Sequence, residues 1–282
     1  MNNKNGFNSD TKTINIPLKI KNYKFEKELF QISNAYLCLA TNINIKEKVL
    51  IKIYDKENFQ HNSDEISLIN NEIYIMRIIN HKNCLKLYEI IETPSYIYLI
   101  MENFSGFLLS ETMDRKKRLT EDESLNIYKQ IISALIYFHE MKIGHLNINP
   151  DNILIDTNNN IKFVDFKYST IYSNNEKIKL EQLGDQNYLS PEIWSEKTCF
   201  PEMADIWSSG VLLYYLLIGQ LPFKGINNFD LQKKIMGAEF PLPLNINKNF
   251  QDFFKGIFEP KIDARFNLEK ILNSTLFKEK KN

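Results

Sequence analysis

The sequence predicts an α+β protein in two lobes: a small lobe of mainly antiparallel strands around one main helix, and a larger lobe that is mainly helical. Three observations predict it. Alternating and β-branched runs crowd the first third of the chain and helical periodicities fill the remainder, the order that places strands and helices in different parts of a fold. With 282 residues, 43% of them hydrophobic, the chain is large enough to enclose one or two cores. The longest apolar run, Val211 to Ile218, is much too short to span a bilayer, so the apolar residues have an interior to fill.

Each element follows from its local pattern. Residues 1–18 are polar and rich in asparagine, a flexible tail in which Ile14, Ile16 and Leu18 offer at most a short edge strand. The small lobe spans 19–102. From Tyr23 to Tyr54 the pattern reads strand, turn, strand, with Tyr36, Leu37 and Leu39 and then Val49, Ile51 and Ile53 supplying the residues a half-buried pleat favours. Glu65 to Ile79 sets Ile69, Ile73 and Met76 at helical spacing, and Leu85 to Glu89 and Tyr96 to Glu102 read as further strands. Residues 103–106 form a hinge. The larger lobe spans 107–278. There Thr120 caps a helix from Glu121 to Met141, the Thr120 to Glu123 spacing being that of a capping box. Ala204 to Ile218 is almost wholly apolar, hence a helix buried in the larger lobe. Shorter helices fall near Phe229 to Met236, Asn249 to Phe258 and Leu268 to Leu272. Residues 279–282 are a tail, and the end soon after Phe277 leaves no room for a further regulatory domain.

Composition narrows the function. Formal net charge is zero and the basic residues, mostly lysine, read as scattered, which argues against nucleic-acid and membrane-surface roles. Cys38, Cys84 and Cys199 are far apart and lack metal-ligand spacing, so they read as buried thiols of a reducing, intracellular compartment, and with no apolar leader the expected location is cytoplasmic.

The centre of the chain carries the chemistry. His145-Leu146-Asn147-Ile148-Asn149-Pro150-Asp151-Asn152 precedes a short strand, a turn at Asp156 to Asn160, and Ile161 to Lys167 with Asp165-Phe166-Lys167 at its end. Further on stand Tyr188-Leu189-Ser190-Pro191-Glu192, Asp205-Ile206-Trp207-Ser208-Ser209-Gly210, Gly219-Gln220-Leu221-Pro222-Phe223 and Arg265. This ordered set resembles a protein kinase domain, serine/threonine type, of the calcium/calmodulin-dependent and AMP-activated kinase-like group, over about residues 20 to 278. The central stretch is similar to the kinase pair H-R-D-L-K-P-E-N and D-F-G. His145, Pro150, Asn152, Asp165 and Phe166 match it. Leu146 stands for the arginine, Asn147 for the catalytic aspartate, Asn149 for the lysine and Lys167 for the glycine.

The resemblance implies a two-lobed kinase fold using ATP and Mg²⁺. Lys52 would hold phosphates, with Glu72 as its partner; Asn152 and Asp165 would supply the hard oxygen ligands magnesium needs. Leu37, Leu50, Met101, Glu102, Phe104 and Leu154 fall where the base would lie. His145, Asp205, Asp185, and Glu192 with Arg265 fall at structural positions. Taken singly, a strand lysine and a helix glutamate are ordinary surface residues; their spacing to the hinge and the loop carries the family reading. The departures count against chemistry. Leu29 to Cys38 has Phe30, Ile32 and Ala35 where glycines let backbone amides approach phosphate. Leu50 replaces the small residue that faces adenine, and Leu108 stands where a ribose-binding acid is common. Asn147 has no basic site near neutral pH and Asn149 no charge. Weak or absent MgATP binding is therefore expected, in a pseudokinase that acts by binding a protein; the alternative is an active enzyme transferring the γ-phosphate to a protein hydroxyl with altered residues. Glu181 occupies the usual phosphorylation position without an arginine to receive it, and Ser169, Thr170 and Ser173 remain modifiable. Asn147 is expected to donate its amide to the Asp185 carboxylate, with Asn149 close by.

Overall fold

The computed structural model describes residues 17–32, 34–59, 61–242 and 246–278. The flexible tails expected at either end lie outside these residues, apart from Pro17 and Leu18.

The small lobe is a six-stranded antiparallel sheet in the order β1-β2-β3-β4-β6-β5, made of β1 (Lys19–Ile20), β2 (Tyr23–Ile32), β3 (Ala35–Asn42), β4 (Glu47–Asp55), β5 (Leu87–Glu92) and β6 (Tyr96–Glu102). Alternation in β4 sorts its side chains to two faces. Val49, Ile51 and Ile53 join Cys38, Ala40, Tyr98 and Ile100 in an outer cluster, whereas Leu50 and Tyr54 face the cleft with Leu37, Leu99 and Met101. Where strand, turn, strand was expected, the region holds three strands. The extra one is β2, whose pairing with β3 shifts register between Phe25 and Lys27 and again between Glu28 and Phe30. Such bulges bend a strand where extra residues must be absorbed. The strand expected from Leu85 begins instead at Leu87. Helix α1 (Ser63–Ile78) starts at Asn62, whose side chain accepts from the amides of Asp64 and Glu65.

The larger lobe follows as β7 (Phe107–Leu108), α2 (Leu109–Lys116), α3 (Glu121–Glu140), β8 (Ile143–Gly144), β9 (Ile153–Ile155), β10 (Ile161–Phe163), β11 (Thr170–Ile171), β12 (Ile178–Lys179), α4 (Pro191–Glu196), β13 (Thr198–Cys199), α5 (Pro201–Ile218), α6 (Asn228–Met236), α7 (Lys248–Ile257) and α8 (Leu268–Leu272). The capping box at Thr120 and Glu123 is formed in both directions. Helix α5 begins three residues before Ala204, at Pro201, whose fixed φ and missing N–H suit a first turn. It ends at Gly219, φ +78°, where an added Cβ would lie 2.2 Å from the Lys117 carbonyl oxygen. The short hairpin β9–β10, paired from Ile153↔Phe163 to Ile155↔Ile161, carries the central loop before it and Asp165 after it. One apolar cluster runs without a break from Leu37 and Leu50, through Met76, Leu85, Phe163 and Phe166, to Trp207 and Leu212 of α5. One sequence reading needs correction: the basic residues are not all scattered, since Arg115, Lys116, Lys117 and Arg118 crowd the exposed corner between α2 and α3.

Candidate active site

The central loop is hung from α5. Asp205, fully buried, accepts the amides of His145 (2.8 Å) and Leu146 (2.7 Å) and faces His139 Nε2 at 3.1 Å. These bonds hold Leu146 at φ +60°, a conformation a branched residue keeps only when its surroundings enforce it. The His145 ring packs on Phe163 and Phe166, with centroids 4.9 and 5.2 Å away. Burial pushes its pKa below the ordinary histidine value, so it is a neutral packing group.

Lys52 reaches two carboxylates, Glu72 Oε1 at 2.6 Å and Asp165 Oδ2 at 3.0 Å. Burial works against its charge, but Asp165 and Glu72 together carry its pKa above the usual lysine value. Asp165 feels the converse: burial opposes its ionisation, and Lys52 and Lys167 outweigh it and hold the pKa down. Glu72, which burial pushes up against the pull of Lys52, also accepts from Tyr54 Oη and the Phe166 amide. A second set of ties was not foreseen. Lys167, only 3% exposed, extends to Glu65 Oε1 (3.2 Å), and Asn71 Nδ2 donates to the carbonyls of Lys167 (3.0 Å) and Ser169 (2.5 Å). Glu65, Asn71 and Glu72 thus fasten one face of α1 to residues 165–169. The available signal was polar Glu65 and Glu72 alternating with Ile69 and Met76 on one helical stripe.

The residues assigned to the base of a nucleotide do not line one cleft. A hollow of about 440 Å³ is bounded by Leu29, Phe30, Leu39, Leu50, Phe104 and Phe107, and a second of about 350 Å³ by Ile32, Leu108, Asn147, Asn149, Asn152, Tyr168 and Asp185. No residue lines both, and Lys52, Glu72 and Asp165 line neither. Leu37, Lys52, Glu72 and Met101 are fully buried and Leu154 nearly so; Glu102 turns away to Lys162 Nζ (2.7 Å) and the Lys86 amide (2.8 Å). Leu50 stands opposite Met101, its cross-strand partner, and is buried with it on the cleft side of the sheet.

The expected bond between Asn147 and the Asp185 carboxylate is corrected. Asn147 Oδ1 accepts from the Asp185 backbone amide (3.2 Å) and from Asn149 Nδ2 (3.0 Å), so its own amide is not the donor. The Asp185 carboxylate points onward, taking the Asn187 amide (2.9 Å) and Nδ2 (2.8 Å) to start the single turn Gln186–Tyr188. A backbone N–H two residues ahead outcompetes a side chain across a gap. Gly184 sits so close that a Cβ there would lie 2.3 Å from Asn147 Oδ1. Asn152 Nδ2 donates to the Asn147 carbonyl (2.8 Å), and Asn149 Oδ1 accepts from the Asp151 amide (2.9 Å).

The segment from Asp165 to Glu192 is secured without a charge at Leu146. Leu146 is buried with Leu189, Ile193, Cys199 and Ala204, and Ile178, Leu180 and Leu183 pack on that cluster. Strand β11 pairs with β8, and β12 with β13. Glu192 and Arg265 form a two-pronged buried pair at 2.9 and 2.8 Å, and the remaining guanidinium donors reach the carbonyls of Glu259, Met203 and Pro260. Glu181 and Ser173 are exposed, whereas Ser169 is buried and its hydroxyl bonds the His145 carbonyl.

Comparison with known proteins agrees with this geometry. The family model for the protein kinase domain matches residues 24–277. SNF1-related protein kinase catalytic subunit alpha KIN12 of Arabidopsis thaliana is 36% identical over 245 residues, 86% of this chain and 49% of that protein. Maternal embryonic leucine zipper kinase of Xenopus tropicalis is 35% identical over 225 residues, 79% of this chain and 34% of that protein. The chain therefore spans half or less of the length of these relatives.

Proposed function

The chain belongs to the protein kinase family, and from that premise we propose that this serine/threonine kinase-like domain is a pseudokinase, acting by holding a protein partner in place of efficient phosphoryl transfer. The observation that carries the reading is the state of Asn147. A general base contributes about 10²–10⁴-fold to rate. A carboxamide cannot take the hydroxyl proton, and the one lone-pair oxygen it has is already accepting from Asp185 and Asn149. Asn149 adds no positive charge for the group in transfer.

MgATP, where kinases bind it, supplies the phosphoryl group and the metal charge that screens it. The residues here do not fit it as they stand. Asp165 is 1% exposed with one oxygen on Lys52 and the other on the Lys167 amide (3.1 Å), and Asn152 is 3% exposed. Strand β2 brings no glycine near the phosphate position, and Leu50 takes the space of a base. Weak or absent MgATP binding is accordingly part of the proposal, as are a protein partner and a cytoplasmic location, the latter supported by three buried free thiols. Among the described residues no helix is long and apolar enough to cross a membrane.

A thermal-shift titration tests the reading. A ligand at a hundred times its dissociation constant stabilises by about 2.7 kcal/mol. Millimolar MgATP is expected to leave the Tm in place; a saturable, magnesium-dependent rise would overturn the occlusion argument. A second reading, an active kinase with altered residues, draws on the Lys52–Glu72 pair at 2.6 Å and on Phe166 packed in the interlobe core, the assembled arrangement phosphotransfer uses. Phosphotransfer by the purified protein, abolished by Asp165→Asn with the fold intact, would establish it.

A further inference from the structure

The last turn of α2 and the turn that follows carry four consecutive cations, Arg115 to Arg118, in a protein whose formal net charge is zero. All four are exposed, and their backbone is fixed. Lys117 closes α2 at φ +65° with its carbonyl against Gly219, and the Leu119 amide donates to the Leu216 carbonyl at 2.8 Å. Lys116 is paired with Glu123 at 2.8 Å, but among the described residues the Lys117 and Arg118 side chains have no acceptor. The first two of the four, Arg115 and Lys116, line a hollow of about 300 Å³ whose other walls include Phe107, Thr112 and Ile155. Phe107 is 47% exposed, and the Arg115 guanidinium lies 4.1 Å from its ring centroid, so an apolar surface and a cationic one meet at a single edge.

We propose that this corner docks an acidic peptide segment of a partner protein, with carboxylates at Lys117 and Arg118 and one apolar side chain seated between Phe107 and Ile155. Charge complementarity sets the sign of the partner, and the aromatic hollow supplies the desolvated anchor that a charged patch alone lacks. A peptide fits better than a continuous phosphate backbone. The same corner carries Asp114 and, on the rim of the hollow, Asp156, whose carboxylates oppose a continuous polyanion, while a short segment can place its few carboxylates away from them. The inference does not depend on the catalytic centre and stands whether or not phosphotransfer survives.

The test is fluorescence anisotropy with a labelled synthetic peptide in which aspartates and glutamates flank one leucine, together with a version carrying serine for the leucine. Binding of the leucine peptide should weaken about tenfold in Lys117→Glu/Arg118→Glu and stay unchanged in Lys19→Glu/Lys24→Glu, which alters charge equally on the exposed β1–β2 edge of the small-lobe sheet. The serine version should also bind about tenfold more weakly to the unaltered protein. Phosphatidylserine vesicles and a single-stranded oligonucleotide form the competing arms. The proposal is overturned if the leucine peptide does not bind, if both charge variants lose it equally, if the serine version binds as well, or if only vesicles or oligonucleotide respond to Lys117→Glu/Arg118→Glu.

Discussion

Gly184 and Asn147 are the pair on which the residue scale turns. With Asn147 Oδ1 2.3 Å from where a Cβ would stand, Gly184→Ala forces the asparagine out of its bond with the Asp185 amide. A destabilisation of about 1–3 kcal/mol is expected, as for other overpacked sites. Asn147→Gly in the same chain should relieve most of it, and additive denaturation midpoints would exclude the contact. Leu146→Arg, which restores the family residue, places a charge in an apolar cluster where Leu146 is 8% exposed. It should lower the denaturation midpoint and make residues 178–189 more susceptible to limited proteolysis; an unchanged digest would mean that the cluster does not secure the segment. The identity of Asn147 was legible in the sequence because a motif fixes its place. Its partner was not, since the donor is a backbone amide 38 residues away and competing local bonds decide which way Asp185 turns.

Among the elements, α1 depends on side chains the sequence reading passed over. Lys167 stands where the motif has glycine, so it was counted as a loss, yet its ammonium and backbone join α1 to the segment after β10. Lys167→Gly leaves Glu65, 13% exposed, without its cation and adds backbone freedom worth about 0.5–1 kcal/mol. Amide hydrogen exchange across 63–78 should speed up in that variant while α5 keeps its protection; equal protection in both would assign the helix's position to packing alone. Long elements such as α3 and α5 were legible because several turns of apolar spacing add up. The six-residue α4 and the two-residue pairs β11–β8 and β12–β13 were not, because segments that short carry no periodicity and exist only through their tertiary partners.

For the whole molecule, the link between the segment ending at Glu192 and the last helices is the pair with Arg265, which is 1% exposed. Removing one partner of a buried pair costs about 3–5 kcal/mol because it strands the other charge. Glu192→Ala and Arg265→Ala should each lower the unfolding free energy measured by denaturant titration by that amount, and Asn147→Ala far less; three similar small effects would remove the pair from the scaffold. The two-lobed plan was legible from chain order. Which residues pack around Leu50 was not, because they come from β3, β4, β6 and β9 and meet across sequence distances that no local pattern records.

That continuous apolar cluster, from Leu50 through Phe166 to Leu212, has a bearing on signalling. Kinases that open and shut around a cofactor present different outlines as its level rises and falls. If MgATP is excluded as proposed, the cofactor's level has no lever on the surface the two lobes offer together, and occupancy by a partner would follow how much of the protein has been made, independent of the energy charge of the cell.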